Sequence, residues 1–131
     1  RVISDMFHTK IIAVMSKVLD GTSSRHRVLA NNIANAETPG YTRKDISFED
    51  QLTAAITTHN NDPKEQKNAI DQVPVRISED AVSPRRNDGN NVNIEREMAT
   101  LAKNTLQYEI AAQYISRKFS GLRKVIFEGR G

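Results

Sequence analysis

Side chains able to do acid–base, nucleophilic or metal chemistry are present, but not at the spacings that such chemistry needs. His8, His26 and His59 are far apart, and none has a histidine four residues on or a Glu in a metal-ligand pattern. His26, on a helix face, reads as a tolerated interface residue, since zinc requires several ligands. Carboxylates occur as Glu49-Asp50, Glu79-Asp80 and the near neighbours Glu95 and Glu97. Nothing in the sequence sets one in an apolar pocket that would raise its pKa for proton transfer, so helix-start and surface roles account for them. There is no cysteine, which removes disulfides and thiolate ligands. The six glycines form no G-x-x-x-x-G-K-[ST] loop, no G-x-G-x-x-G and no G-x-S-x-G elbow. No catalytic, cofactor or metal site is expected, and the chain is not expected to be an enzyme.

What the sequence does concentrate is amide hydrogen bonding. The stretch VLANNIANAETPGYTRKD, Val28 to Asp45, sets Asn31, Asn32 and Asn35 into an apolar-periodic segment and then stops at Thr38-Pro39-Gly40-Tyr41. Asparagine is a poor helix residue because its amide competes for backbone hydrogen bonds. Each amide also offers two donors and two acceptor lone pairs, enough to tie a helix flank to a neighbouring loop or strand. Asn32 flanks the apolar face, while Asn31 and Asn35 point more outward. Thr38 is forced extended by the proline, and Pro39-Gly40 suits the centre of a type II turn. The helix must therefore end by about Glu37, and Tyr41 can fold back as an amphipathic anchor.

Two long helices have to position that stretch. Ile12, Met15, Leu19, Thr22, His26, Leu29, Ile33 and Ala36 recur in steps of three and four, as do Ile94, Met98, Leu101, Thr105, Tyr108, Ala112, Ile115, Phe119, Leu122 and Ile126. Each set is a heptad seam sustained over at least three repeats. At about 1.5 Å per residue the second helix would span on the order of 50 Å, more than a compact domain of this length, so the two pack as rods. Gly21 weakens the middle of the first seam by about 1 kcal/mol relative to Ala unless a neighbour uses it. In the second, Asp88-Gly89 marks a turn, Asn91 or Asn93 can cap, Glu95 and Glu97 suit the first turn, and Gly129 suits the stop.

The middle changes character. Ser47-Phe48-Glu49-Asp50 resembles a helix start, with Phe48, Leu52 and Ala55 or Ile56 forming a short amphipathic turn or two. THNNDPKEQKN, with Asp62-Pro63 inside it, reads as a mobile loop. VPVRI, with Val73, Val75 and Ile77 alternating, allows a short strand that Pro74 confines to an edge. The expected fold is mainly α: one unit over 1–131, with an N-terminal helix over about 5–37, a turn, short helix and irregular middle over 38–90, and a C-terminal helix over 91–128. The terminal helices pack as an antiparallel pair, and β structure is at most short.

Composition bounds the rest. Hydrophobic residues make up 37% and aromatics 5%, a thin supply for a self-sufficient core in 131 residues, which points to burial against partners. Nineteen Lys and Arg against 16 Asp and Glu give a net charge of +3 with both signs interspersed. The basic doublets Arg43-Lys44, Arg85-Arg86, Arg117-Lys118 and Arg123-Lys124 read as scattered solvated surface, not as a nucleic-acid footprint. The longest apolar run, Ile11 to Met15, is far short of the roughly 20 residues of a membrane span and lacks the features of a cleaved secretory signal.

LANNIANAETPGY, with Ala30, Asn31, Asn32, Ala34, Asn35, Thr38, Pro39, Gly40 and Tyr41 in place, resembles the N-terminal signature of the bacterial flagellar axial family, the rod and hook proteins. DGNNVNIEREMA, Asp88 to Ala99, and the helix after it resemble the C-terminal half of a short proximal-rod member. The length agrees, because hook and distal-rod members carry larger inserted domains. The other short proximal-rod member more often reads Thr-Glu-Gly-Tyr at the turn. The segment from Asn60 to Asn87 carries none of the signature.

The resemblance implies a structural subunit of the basal-body rod, exported unfolded through the flagellar type III apparatus without a cleaved signal peptide and assembled in the periplasmic space. The implied partners are further copies, other rod proteins, the rod-to-MS-ring junction protein and the export apparatus. Neither nucleic acid nor a direct membrane span is implied. Ala30, Asn31, Asn32, Asn35, Thr38, Pro39, Gly40 and Tyr41 would form the assembly joint. Ile12, Met15, Leu19, Leu29, Ile33, Met98, Leu101, Tyr108, Ile115, Phe119 and Leu122 would be the packing seams. A helical adaptor or export chaperone is the rival from another class; a chaperone would be acidic, and this chain is basic.

Overall fold

Unbroken runs of helix-permissive residues at the two ends become the two longest elements. The computed structural model describes residues 2–58 and 62–129, so His59 falls outside it. In chain order the elements are α1 (Val2–Ala34), β1 (Lys44–Ser47), α2 (Glu49–Thr58), α3 (Pro63–Asp71), β2 (Arg76–Glu79) and α4 (Ile94–Glu128). The fold is mainly α, as expected. α1 and α4 pack antiparallel, Asn32 meeting Glu97 at one level and Thr22 meeting Asn104 two to three turns away. No helix among the described residues is long and apolar enough to cross a membrane.

Local chemistry sets the boundaries. α1 gives out at Ala34, three residues before Glu37, because the chain starts to turn at Asn35. The Asn35 N–H is shared between the carbonyls of Asn31 and Asn32, its Nδ2 donates to Asn31 O, and its Oδ1 accepts from the Thr38 hydroxyl. α4 starts at Ile94, where Asn93 is extended and its side chain accepts from the Arg96 N–H at 3.1 Å. It ends at Glu128, with Gly129 following in a right-handed conformation.

The middle differs from expectation in one element. The stretch read as a mobile loop contains α3, so there are two short helices. Asp62 caps it, accepting from the N–H groups of Lys64 and Glu65, and Pro63 occupies a first-turn position where a missing N–H is harmless. Asp-Pro is thus a helix start here, not a turn. β1 and β2 form a two-stranded antiparallel ribbon, Lys44 opposite Glu79 and Ser47 opposite Arg76. Pro74 stays outside the ladder. Along VPVRI, Val73 is buried, Val75 half-buried and Ile77 exposed.

The apolar core lies between α1 and the middle, not between the long helices. Ala13 and Val28 of α1 meet Ile46, Phe48, Leu52, Ala55, Ile70 and Val73. The line that α4 turns inward is Glu97, Asn104 and Ala111, one residue earlier than Met98, Thr105 and Ala112 of the expected seam. A shift of one residue rotates the helix by about 100°. Met98, Tyr108, Phe119 and Leu122 are consequently exposed, Met98 by 53% and Phe119 by 59%, while Leu101 and Ile115 are half-buried. On α1, Thr22 and Leu29 are buried; Ile12, Met15, Leu19 and Ile33 are half-buried; and His26 is exposed.

The weak point of α1 has a use. A Cβ on Gly21 would lie 2.2 Å from Phe48 Cε1, so the missing side chain is the seat of that ring. Arg25, one turn on, stacks its guanidinium 5.2 Å from the ring centroid, pairs with Glu49 and donates to Ile46 O. Alanine at an exposed helix site should stabilise relative to glycine; here the sign reverses. Gly21→Ala is expected to lower the unfolding free energy by about 1–3 kcal/mol through overpacking, and adding Phe48→Leu should recover part of it. Urea denaturation checks this, and a Gly21→Ala protein more stable than wild type would refute the seat.

Candidate functional site

A buried asparagine between two helices needs a partner for every polar atom, and Asn32 finds them all. It is fully buried. Its Nδ2 donates to Lys44 O (2.8 Å) and to Glu97 Oε2 (3.0 Å), while its Oδ1 accepts from the Lys44 N–H (3.0 Å) and the Tyr41 hydroxyl (3.0 Å). The pair of bonds to Lys44 is what a neighbouring strand would supply, so a side chain of α1 extends the ribbon by one rung. Two donors and two acceptors exhaust the amide.

Arg43, the residue before β1, brings a charge to the same place. It is only 4% exposed, and Glu97 is 0% exposed. Its Nε donates to Glu97 Oε1 at 2.7 Å and its NH1 to Asp80 Oδ2 at 2.8 Å. Its backbone N–H goes to Asn91 Oδ1 at 2.6 Å, and Asn91 Nδ2 continues to Asp80 O at 2.7 Å. Asp80 in turn accepts from the N–H groups of Val82 and Ser83 and from the Ser83 hydroxyl.

The two turns lock against each other. In Thr38-Pro39-Gly40-Tyr41 the Tyr41 N–H reaches Thr38 O, with Gly40 at φ +73° as a type II turn requires. The Gly40 N–H donates to Asp88 O at 2.8 Å. Gly89, at φ +83°, approaches so closely that a Cβ there would lie 3.3 Å from Gly40 Cα. Asn90, fully buried, donates to both Asn35 O (2.9 Å) and Thr38 O (2.8 Å) and accepts from the Val92 N–H. Arg86 donates to Ala36 O, and Arg85 bridges Gly89 O and the Thr42 hydroxyl. The two sequence blocks, some 50 residues apart, are one structural unit.

The expected joint residues divide between its inside and its surface. Asn32 is at the centre, with Asn35 and Tyr41 half-buried against it. Ala30, Asn31, Thr38, Pro39 and Gly40 are exposed, the last two forming the outer corner of the turn. Arg43, Asp80 and Glu97, read from the sequence as surface or helix-start charges, are instead the interior ion cluster; Asn91, read as a possible cap, bonds the Arg43 N–H and Asp80 O there, and the unforeseen Asn90 ties the two turns together. The doublet Asn90-Asn91, separated by one residue from Asn93, which already serves as cap, is the signal that could have exposed the two asparagines.

Electrostatics follow from the contacts. Burial disfavours the Arg43 charge, but hydrogen bonds to Glu97 and Asp80 outweigh it and hold the guanidinium above its ordinary pKa. Burial raises the Tyr41 hydroxyl, helped by the Glu97 charge. The Ser83 hydroxyl and N–H, then Arg43 and the Val82 N–H, hold the Asp80 carboxyl well below the usual carboxylate range. The Arg43, Asp80, Glu97, Asn32 and Asn91 side chains are committed to other groups of the chain. Among the described residues no three His, Asp or Glu side chains cluster as a metal site. The arrangement can hold an angle.

Removing one partner of a buried ion pair leaves the other uncompensated. Arg43→Met is therefore expected to cost about 3–5 kcal/mol, and Arg43→Met with Glu97→Leu less than the sum of the single changes; urea denaturation of the double-mutant cycle measures the coupling, and additive losses would remove it. The Asp80 carboxyl is depressed in the fold, so its contribution is present above the unfolded pKa of about 3.9 and lost as pH falls below it. Asp80→Asn should be less stable than wild type at pH 7, and the gap should narrow toward pH 3. A gap constant across that window would contradict the assignment.

Known proteins carry the same blocks. A family described as "Flagella basal body rod protein" matches residues 21–42, the segment that ends at the Asn32 joint and its turn. The flagellar basal body rod protein FlgB of Aquifex aeolicus is 34% identical over 117 residues, spanning 88% of this chain and 91% of the relative. FlgB of Aeromonas hydrophila is 30% identical over 125 residues, with 89% and 92% covered, and that of Escherichia coli 28% over 124 residues, with 86% and 90% covered. Matches of this extent run through both blocks and the middle between them: the chain belongs to the FlgB family of flagellar basal body rod proteins.

Proposed function

We propose that this chain is a structural subunit of the proximal rod, assembling through its terminal helices in the periplasmic part of the basal body and transmitting torque. It would reach that place by type III export without a cleaved signal. Its neighbours would be further copies, other rod proteins and the junction protein at the MS ring. The role of such a family is structural and not catalytic. The observation that carries the reading is the outward apolar stripe of α4: Met98, Tyr108, Phe119, Leu122 and Ile126 are all exposed although the helix they sit on is packed. A stripe of this length on a subunit with so small a core is burial waiting for neighbours. When the surface that covers it lies elsewhere on the next subunit, the contact is heterologous and generates an open filament.

In this reading the Asn32 joint fixes the angle between the helix pair and the ribbon side of the subunit, while the stripe makes the contacts. The two roles separate by mutation. Leu122→Asp should leave the unfolding free energy within about 0.5 kcal/mol of wild type, since the side chain is already in water, yet abolish rod assembly and swimming. Asn32→Ala should lower both stability and swimming. Swarm diameter and basal-body preparations, read beside urea midpoints, check the pair; normal swimming with Leu122→Asp would remove the proposed use of the stripe.

A further inference from the structure

We infer that the open edge of β2 pairs with the same edge of a second copy, antiparallel about a two-fold axis at Ser78, joining two ribbons into one four-stranded sheet. The two edges of the ribbon differ. On β1 the outward groups belong to Lys44 and Ile46, and side chains close all four. Asn32 takes both groups of Lys44, Asp45 Oδ1 accepts from the Ile46 N–H at 2.8 Å, and Arg25 donates to Ile46 O at 3.1 Å. Hydrogen-bonding direction alternates along a strand, so Asp45 and Ser47 face β2. Their opposites Ser78 and Arg76 face back, which leaves Ile77 and Glu79 with N–H and C=O groups turned outward. Among the described residues nothing bonds to those four groups, and every residue of β2 is exposed. An unprotected edge is a template for another strand, and a two-stranded ribbon is marginal until further strands join it.

The chemistry of β2 selects its own copy. Directly opposed residues of an antiparallel pair are either both hydrogen-bonded or both not, so Ile77 can face only an outward residue of the incoming strand. With Ile77 opposite Glu79 of the second copy, and Glu79 opposite its Ile77, the strands exchange four hydrogen bonds and close every open group on both edges. The same register sets Ser78 against Ser78 on the axis and Arg76 against Asp80 at each end. Arg76 is exposed and in no ion pair among the described residues. Asp80 belongs to a cluster in which the single guanidinium of Arg43 stands against the carboxylates of Asp45, Asp80 and Glu97. Unpaired positive charge thus meets excess negative charge twice, and opposite charges across strands stabilise a pair. Sliding one strand by two residues sets Arg76 against Ser78 in one direction and Glu79 against Glu79 in the other, and both lose that match. Every subunit of an open heterologous filament points the same way, so a two-fold pair belongs to subunits outside the rod, and the inference does not rest on the rod reading.

The chain has no cysteine, so Ser78→Cys places a single thiol on the axis. Opposed residues that are not hydrogen-bonded have Cα atoms about 4.5 Å apart, within disulfide reach. Asn68→Cys, exposed on α3, is the control for random collision. Full-length chains are incubated in a glutathione redox buffer and the disulfide-linked dimer is read on non-reducing gels. The expected result is at least tenfold more dimer from Ser78→Cys than from Asn68→Cys. It should fall at least tenfold when Arg76→Glu is added, or Ile77→Pro, which removes an outward N–H and no bond to β1. Leu122→Asp should leave it unchanged. Urea midpoints establish that each variant is folded, and sedimentation of the cysteine-free chain should show a dimer that Arg76→Glu dissociates. Cross-linking no better than at Asn68, or insensitive to Arg76→Glu in a folded chain, overturns the inference. Loss of the cross-link with Leu122→Asp would move the contact to the α4 stripe, and cross-linking in cells only to a different protein would assign the edge to another chain's strand; each overturns it as well.

Discussion

A guanidinium taken out of water is several kcal/mol unfavourable unless its donors meet charged acceptors in good geometry. Arg43 is such a group, and the chain is arranged around meeting that demand. Glu97 comes from the first turn of α4, Asp80 from the end of β2, and the carbonyl of Arg43 itself takes the Asp80 N–H at 2.9 Å. The two acceptors lie 37 and 54 residues from Arg43 in sequence, so satisfying one side chain fixes the ribbon against the start of α4. Asn32 then ties α1 to both, because its amide touches Lys44 on one side and Glu97 on the other.

Once Glu97 is drawn inward, the phase of α4 is no longer free. A helix rotates as a rigid rod, so the residues one and two heptads on, Asn104 and Ala111, turn inward with Glu97 and the apolar stripe turns out. Asn104 reinforces the register by donating to Thr22 O at 2.7 Å, across 82 residues of sequence, although its own Oδ1 is buried without a partner. That orphan acceptor is a destabilising feature, which a helix pair optimised only for its own stability would have replaced with leucine. The polar cluster thus outranks the apolar periodicity in deciding which face of α4 packs on α1, and the cost of that choice is surface left for neighbours.

This hierarchy also explains what was legible in the sequence. The two long helices, the Thr38–Tyr41 turn, a cap at Asn91 or Asn93 and the place of Asn32 on the flank of the apolar face depend on residues close together in sequence or on a strong period, and local rules find them; the full burial of Asn32 they do not find. Tyr41 folding back on Asn32 follows from the tightness of the turn between them. Arg43, Asp80 and Glu97 carry no local mark, since an arginine destined for the interior looks the same as a solvated one until its partners are placed. The phase of α4 was misjudged for the same reason: the seam through Met98 and Phe119 is the more apolar, and only the distant Arg43 selects the other. α3 was hidden by Asp62-Pro63, a dipeptide that is equally the grammar of a turn and of a capped helix start.

A polar joint does something that an apolar one of the same area would not. Apolar contact is non-directional and tolerates sliding, because one arrangement of methyl groups buries nearly as much area as another. The Asn32 amide loses a hydrogen bond for any rotation of α1 against the ribbon, since all its sites are occupied at 2.8–3.0 Å. Gly40 and Gly89 meet closely at the same hinge, where a Cβ on Gly89 would crowd Gly40 Cα at 3.3 Å. In a heterologous assembly each subunit's internal angle is copied into the position of the next, so a small error accumulates along the filament. A closed hydrogen-bond cluster at the hinge and a bare apolar stripe away from it are then complementary halves of one solution: the first sets the angle at which the second is presented.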